Sequence, residues 1–431
     1  MIRPSGALYG AGGMMKANIF RAAVSFARWR PAVALAVTLL IWVAPAGPVF
    51  SASGPTYHPP NVFPLMAWDD LLDAKTAAAM RDCGITCVAF VRPDMLNVCR
   101  DHGLLAVVFD ESVAGTNWSR PYDGEAARRN LPALVEKVGK HPAVMGYHLK
   151  DEPGAHEFSE LTKAVAAVKE LAPGKWPYIN LFPGDGADYL RYVEGFISTC
   201  KPTIVSYDRY VLVGDNDFSD AFWSNLAAVR DVSRTHGLPY WNIVLTAPHW
   251  GYRELTEADV RLQNWGSLAY GVSGLAFYKF CSKELSMLDA PDLGNFRNGP
   301  LDEFGEKTPA WHWLRNCNRQ IQNLAPTYMK LHSDSVYHFG KVPAAHHAPA
   351  GTNLVRALNG EAVVGDFTHA DGSRYVLIVN KSLKTSMQCL PEFHGKPSAV
   401  KFVSPRTGEL KPYPSPYYWL APGQGVLLQV L

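Results

Sequence analysis

From residue 62 onward the chain alternates short, almost unbroken apolar runs with longer stretches in which apolar residues recur every three or four positions. An apolar run of four to eight residues suits a strand buried on both faces, while the three- and four-residue spacing marks the buried stripe of a helix. The runs at 63–68, 86–91, 104–109, 144–149, 178–181, 204–207, 240–245 and 274–278 predict eight strands. Between them, 70–81, 124–140, 157–171, 187–200, 219–236 and 256–271 predict helices. Within 157–171, Phe158, Leu161, Val165, Val168 and Leu171 share one face, and Thr256 with Asp259 three residues on forms a capping pair. Strand-helix alternation predicts a parallel sheet, and eight repeats predict its closure into a (β/α)8 TIM barrel, an α/β fold.

A last helix is expected over 309–324, after which the period changes to two. Runs at 335–339, 362–368, 375–380, 399–403 and 424–430 predict a small C-terminal all-β domain, read as a sandwich. The expected division is a leader over 1–52, a barrel domain over 53–330 and a β-domain over 331–431.

The first fifty residues follow a different plan. Lys16, Arg21, Arg28 and Arg30 precede the apolar run 32–46, and small residues follow at Ser51, Ala52 and Ser53. That is the order of an export signal, and the run is shorter than the roughly 20 residues of a spanning helix. The expectation is an exported protein, periplasmic or extracellular, with no membrane association beyond the signal. Of the 41 Lys and Arg, five lie in 1–52, which holds no Asp or Glu, so the remainder is slightly acidic against its 39 carboxylates. A chain without a basic stripe is a poor nucleic-acid binder, and no such partner is expected. The seven Cys are scattered and odd in number, which argues against a disulfide framework; Cys83 and Cys87 lack the second ligand pair of a zinc site. No metal or other cofactor is expected, nor does the sequence indicate an oligomeric state.

In a barrel, reactive groups sit at the C-terminal ends of the strands. Those ends here carry Trp68-Asp69, Arg92-Pro93-Asp94, Asp110-Glu111, Asp151-Glu152-Pro153, Asn180-Leu181-Phe182, Tyr207-Asp208-Arg209-Tyr210, His249-Trp250 and Lys279-Phe280. Carboxylates, amides and aromatics around one mouth suit a sugar. Hydrolysis of a glycosidic bond needs one protonated carboxyl to donate to the leaving oxygen and one ionised carboxyl to attack or to activate water. Glu152, held before Pro153 and beside Asp151, is the candidate acid. Asp208 is the favoured partner, with Asp151, Glu284 and Glu254 as alternatives. Trp68, His148, Asn180, Tyr207, His249, Trp250 and Tyr278 are candidate substrate contacts, through ring stacking or hydrogen bonds to hydroxyls.

The stretches GYHLKDEP (146–153), YINLFP (178–183), SYDRY (206–210), LAYGVSGLAFYKF (268–280) and EKTPAWHWLRNCNRQIQNL (306–324) resemble barrel glycoside hydrolases of the large clan that includes bacterial β-galactosidases. The resemblance spans most of 60–330 and implies a hydrolase acting on a polysaccharide or oligosaccharide. In that clan the acid/base is a Glu preceded by Asn at the end of strand four, which carries the role onto Glu152; here the preceding residue is Asp151. The clan's nucleophile is a Glu at the end of strand seven, where this chain has His249 and Trp250. The alternative implied by that departure is a carbohydrate-binding barrel without catalysis.

Overall fold

The computed structural model describes residues 62–115, 120–214, 218–282 and 294–431. The expected leader, and Glu284 as a candidate carboxylate, lie outside the described residues. The eight strands are β1 (Leu65–Asp70), β2 (Cys87–Val91), β3 (Leu105–Val108), β4 (Val144–Asp151), β5 (Trp176–Leu181), β6 (Val205–Asp208), β7 (Tyr240–Leu245) and β8 (Gly274–Tyr278). They pair in parallel in sequence order, and β8 closes onto β1. The helices are α1 (Ala74–Asp82), α2 (Leu96–Asp101), α3 (Gly124–Val138), α4 (Phe158–Leu171), α5 (Gly186–Cys200), α6 (Ala221–Thr235), α7 (Glu257–Tyr270) and α8 (Pro309–Tyr328).

Alternation within each strand explains why the runs are apolar throughout. Met66, Trp68, Cys87, Ala89, Val107, Trp241, Ile243 and Ala276 fill the barrel interior. Their neighbours Ala67, Val88, Ala106, Val108, Val244, Leu275 and Phe277 pack outward under the helices. Both faces are dry, so neither tolerates the polar alternation of a half-exposed strand. All seven cysteines are buried and unbridged.

The C-terminal domain is all β, as the period-two runs predict. Its main sheet has six antiparallel strands: β9 (Leu331–Phe339), β11 (Ala362–His369), β12 (Arg374–Asn380), β15 (Val400–Val403), β16 (Leu410–Pro412) and β18 (Gly425–Val430). Two short ladders, β10 (Val355–Ala357) with β14 (Glu392–Phe393) and β13 (Met387–Gln388) with β17 (Trp419–Leu420), make the outer layer. The main sheet therefore has two unlike cores. Val364, Val376, Ile378, Val426 and Leu428 face the outer ladders, whereas Val363, Leu377, Val379 and Leu427 join the core of the barrel.

Helix α7 lies between barrel and sheet, and twelve of its fourteen residues are buried. An exterior barrel helix would keep a polar face; α7 reads instead as a helix enclosed on all sides. The contact is close enough that a Cβ at Gly365 of β11 would lie 2.1 Å from the Ala269 carbonyl oxygen, so glycine is required there. Thr256 caps α7 together with Asp259, as the sequence predicts. Asp259 also takes both terminal nitrogens of Arg253, at 2.8 and 2.7 Å.

Removing the β-domain would expose Leu262, Trp265, Ala269 and Tyr270 of α7, at a cost of about 1.5–3 kcal/mol for each large side chain. A chain ending before Leu331 is therefore expected to be insoluble or to lose its cooperative thermal transition. Soluble yield and near-ultraviolet circular dichroism of the truncated chain check this; a native-like signal would show that α7 tolerates water.

Candidate active site

Strand β4 carries the site because its register breaks. Pairing with β5 runs His148 to Tyr178 and then, after an irregularity, Lys150 to Ile179 and Asp151 to Asn180. Strict alternation would put residues three apart on opposite faces; the extra residue lets both His148 and Asp151 face inward. His148 sits against Trp68, Phe90 and Tyr178. Asp151 reaches the Asn180 side chain.

Asn180 is the hub. Its Nδ2 donates to Asp208 Oδ1 at 2.8 Å and to Asp151 Oδ1 at 3.1 Å. Its Oδ1 accepts from Ser206 Oγ at 3.0 Å, and Ser206 Oγ lies 2.7 Å from the Tyr178 hydroxyl. The amide orientation is fixed by this chain of partners, because only Nδ2 can donate to two carboxylates. Glu152 follows in a left-handed conformation, φ 47°, with its backbone N–H donating to the Asn180 carbonyl at 2.8 Å. A non-glycine residue at positive φ costs free energy and is found where surrounding contacts hold it. Here the hold is the Asn180 carbonyl on one side and the turn at Pro153 on the other.

The carboxylate that caps the following turn is Glu157, not Asp151 or Glu152. It accepts from the backbone N–H groups of Gly154 at 2.8 Å and Tyr122 at 2.9 Å, with Lys150 Nζ 3.8 Å away. Helix capping thus leaves the Asp151-Glu152 pair to the barrel mouth.

Burial dominates the electrostatics. It raises the Glu152 carboxyl to about 7, helped by the neighbouring charge of Asp151. Asp151 is raised to about 6 by burial, against the opposing effect of the Asn180 hydrogen bond and of Lys150. Asp208 is pushed well above the usual carboxylate range, first by burial and then by Glu152 and Asp151. His148 is lowered to about 3 by burial and by Lys150, so its ring is neutral at ordinary pH. Three carboxyls in mutual electrostatic reach cannot all ionise cheaply, and the cluster retains protons near neutral pH.

The aromatic residues fall into two groups. Trp68 is buried in the barrel interior beside His148 and Tyr178, forming a floor. Tyr278 is stacked on Tyr210 with centroids 5.5 Å apart, and His249 is stacked on Phe296 at 4.7 Å. The His249 ring contacts the Trp250 ring, which is 68% exposed. Burial holds the Tyr278 hydroxyl protonated, and the charges of Asp69, Asp151 and Asp208 add to this. This second group therefore borders the acids. At the junction of β1 and β8, Lys279 Nζ lies 3.5 Å from Asp69, both buried, and Asp69 also accepts from the Cys281 N–H at 2.6 Å.

Tyr207 is the exception among the candidate contacts. It is completely buried on the outward face of β6 in the core under the helices. Its neighbours Ser206 and Asp208 take the inward face, so alternation excludes Tyr207 from the mouth. Glu254 binds Arg297 Nε at 2.8 Å and Asn298 Nδ2 at 2.9 Å, a tie between two loops. Ser206 and Tyr178 support the site and are passed over when only strand ends are considered. Each lies two residues before a site residue, Asp208 and Asn180, and the two-residue period is the signal that reveals them. Among the described residues no group of three or more His, Cys, Asp or Glu is placed to hold a metal ion, and no helix is long and apolar enough to cross a membrane.

No family model matches this sequence, and no curated protein matches it. Solved structures do share the architecture. A glycoside hydrolase family 5 protein from Bacteroides vulgatus superposes with a TM-score of 0.55 at 12% identity, covering 86% of this chain and 89% of that one. A second structure, described as a glycoside hydrolase, gives 0.54 at 12% identity over 86% and 92%. A β-galactosidase from the psychrophilic Marinomonas ef1 gives 0.47 at 13% identity; the chain matches 60% of its length with 61% of its own. At such identities the likeness defines the class of fold: a (β/α)8 barrel followed by a β-domain. The chemistry rests on the residues of this chain.

Proposed function

We propose that this protein is a glycoside hydrolase in which Glu152 is the general acid and Asp208 the second carboxylate. The observation that carries the reading is the grouping of Glu152, Asp151 and Asp208 around Asn180 at the C-terminal mouth of the barrel, with aromatic rings beside them. The shared fold of the two glycoside hydrolases supports it. With its carboxyl raised to about 7, Glu152 holds a proton to give to the glycosidic oxygen as the C–O bond breaks. Positive charge then develops at the anomeric carbon, which Asp208 meets either directly or through a water it deprotonates. Repulsion between Glu152 and Asp208 operates only when both are ionised, so the pair keeps one proton, and catalysis uses the form in which that proton is on Glu152 and Asp208 is ionised against the cost of its own burial. The Asn180 N–H stabilises the charge on Asp208. The substrate class is a polysaccharide or its oligosaccharides, and export by residues 1–52 accompanies this reading, because polymers of sugar do not cross membranes.

The test is release of reducing sugar from a panel of polysaccharides and aryl glycosides. Release from none of them would remove the reading. A second expectation concerns pH. Activity requires protonated Glu152, so its alkaline limb lies near the raised carboxyl value of about 7. In Asp151→Asn the anion beside Glu152 is gone, ionisation of Glu152 becomes easier, and the limb moves to lower pH. It stays above an ordinary glutamate because burial, the larger cause, remains. A limb that rises or does not move would refute the assignment of Glu152 as the acid.

A further inference from the structure

A cavity of about 590 Å³ lies where the barrel meets the β-domain, lined by Phe218, Trp223 and Leu262 from the barrel side and by residues of the β-domain that include Trp419. Its volume suits a small-molecule ligand. Trp419 is 59% exposed, an unusual state for the largest apolar side chain, and it pairs across the β13–β17 ladder with Gln388, which also lines the cavity. The Gln388 Nε2 is used by the Pro416 carbonyl, at 2.7 Å, which leaves Gln388 an amide oxygen to accept. The rim carries hydroxyls: Ser382 Oγ accepts from the Lys384 and Thr385 N–H groups and so donates to Thr385 Oγ1 at 2.9 Å, which leaves Thr385 its own O–H to donate.

Charge decides the class of ligand. Lys341 pairs with Asp220 at 3.3 Å, and Lys381 donates to the Lys341 carbonyl with Glu361 nearby. With Lys384 the lining carries three cations against the two carboxylates Asp220 and Glu361, an excess of a single charge that falls short of the clustered positive field an anion site needs. An exposed indole face, an amide oxygen and hydroxyls along a cavity of this size match an uncharged sugar, whose C–H faces stack on aromatics and whose hydroxyls both donate and accept.

From this geometry we infer that the junction cavity is a second carbohydrate-binding site, with Trp419 as its stacking platform and a neutral oligosaccharide segment as its ligand. It shares with the proposed function only the class of ligand. It would hold a polymer on the protein independently of the barrel mouth, with the chain touching both domains.

The experiment is native affinity electrophoresis of the full chain in gels containing arabinoxylan, galactomannan, mixed-linkage β-glucan or, as an acidic arm, polygalacturonate. A Glu152→Gln background prevents digestion of the gel polymer. Retardation by at least one neutral polymer is expected, weakened about tenfold by Trp419→Ala, as for loss of a central aromatic contact, and retained by Trp419→Phe. Turnover of a small aryl glycoside by Trp419→Ala, with Glu152 intact, is expected to match wild type within about twofold, since the indole is not part of the mouth. No retardation by any neutral polymer, retardation indifferent to Trp419→Ala, or retardation by polygalacturonate alone would overturn the inference. Retardation that depends on Trp419 in a protein that hydrolyses nothing would leave this site standing and remove the hydrolase reading.

Discussion

Glu152→Gln is expected to lower hydrolysis of a glycoside with a poor leaving group by about 10²–10⁴-fold, the range for removing a general acid. The amide keeps the size of the side chain and cannot give up a proton at the required moment. The loss has a diagnostic dependence on the leaving group. A dinitrophenyl glycoside departs as a stable anion without protonation, so its cleavage by the variant is expected to fall far less than that of an alkyl glycoside. Equal losses for both would mean that Glu152 positions the sugar and does not donate. Sugar binding is expected to survive in this variant, since no described side chain donates a hydrogen bond to the Glu152 carboxyl.

Asp208→Asn is expected to abolish turnover, by about 10³-fold or more for a carboxylate that stabilises the developing charge, and at the same time to stabilise the fold. Asp208 is 7% exposed, and burial pushes its carboxyl well above the usual range. A raised native value means that the folded state holds the proton more tightly than the unfolded state. Stability therefore falls as pH rises above the unfolded value. Asparagine has no proton to lose and retains an oxygen for the Asn180 N–H, so the variant escapes that loss. A gain of about 2–4 °C in Tm is expected at pH 8, shrinking as the pH falls to the ordinary aspartate value and below, where Asp208 becomes protonated in the unfolded state as well. A Tm that falls at every pH would show that the Asp208-Asn180 pair is a net structural support, and undiminished turnover would assign the second carboxylate elsewhere.

The legible and illegible parts of this protein divide along physical lines. All eight barrel strands and, among the described residues, every helix but the short α2 are readable because they obey local periods: an unbroken apolar run where both faces are buried, and a three-to-four spacing where one is. The switch to period two after α8 announced the β-domain. Strand-end position pointed to Glu152, Asp151, Asp208 and Asn180, and all four meet in the structure. Tyr207 departs from the expected mouth position for a reason that alternation explains: one step along β6 exchanges the mouth for the core.

What the sequence determined by itself was therefore what depends on neighbours in the chain: element type, strand order and the residues available at each strand end. Only tertiary structure decided what depends on groups far apart in the chain. The broken register of β4 turns both His148 and Asp151 inward. Asn180 joins carboxylates from β4 and β6, and their shared burial raises all three acids. The enclosure of α7 between barrel and sheet, and the cavity beside Trp419, likewise arise from surfaces brought together by folding. Hydrophobic period is a local property of a chain, whereas desolvation and the meeting of charges are properties of the space that the folded chain encloses.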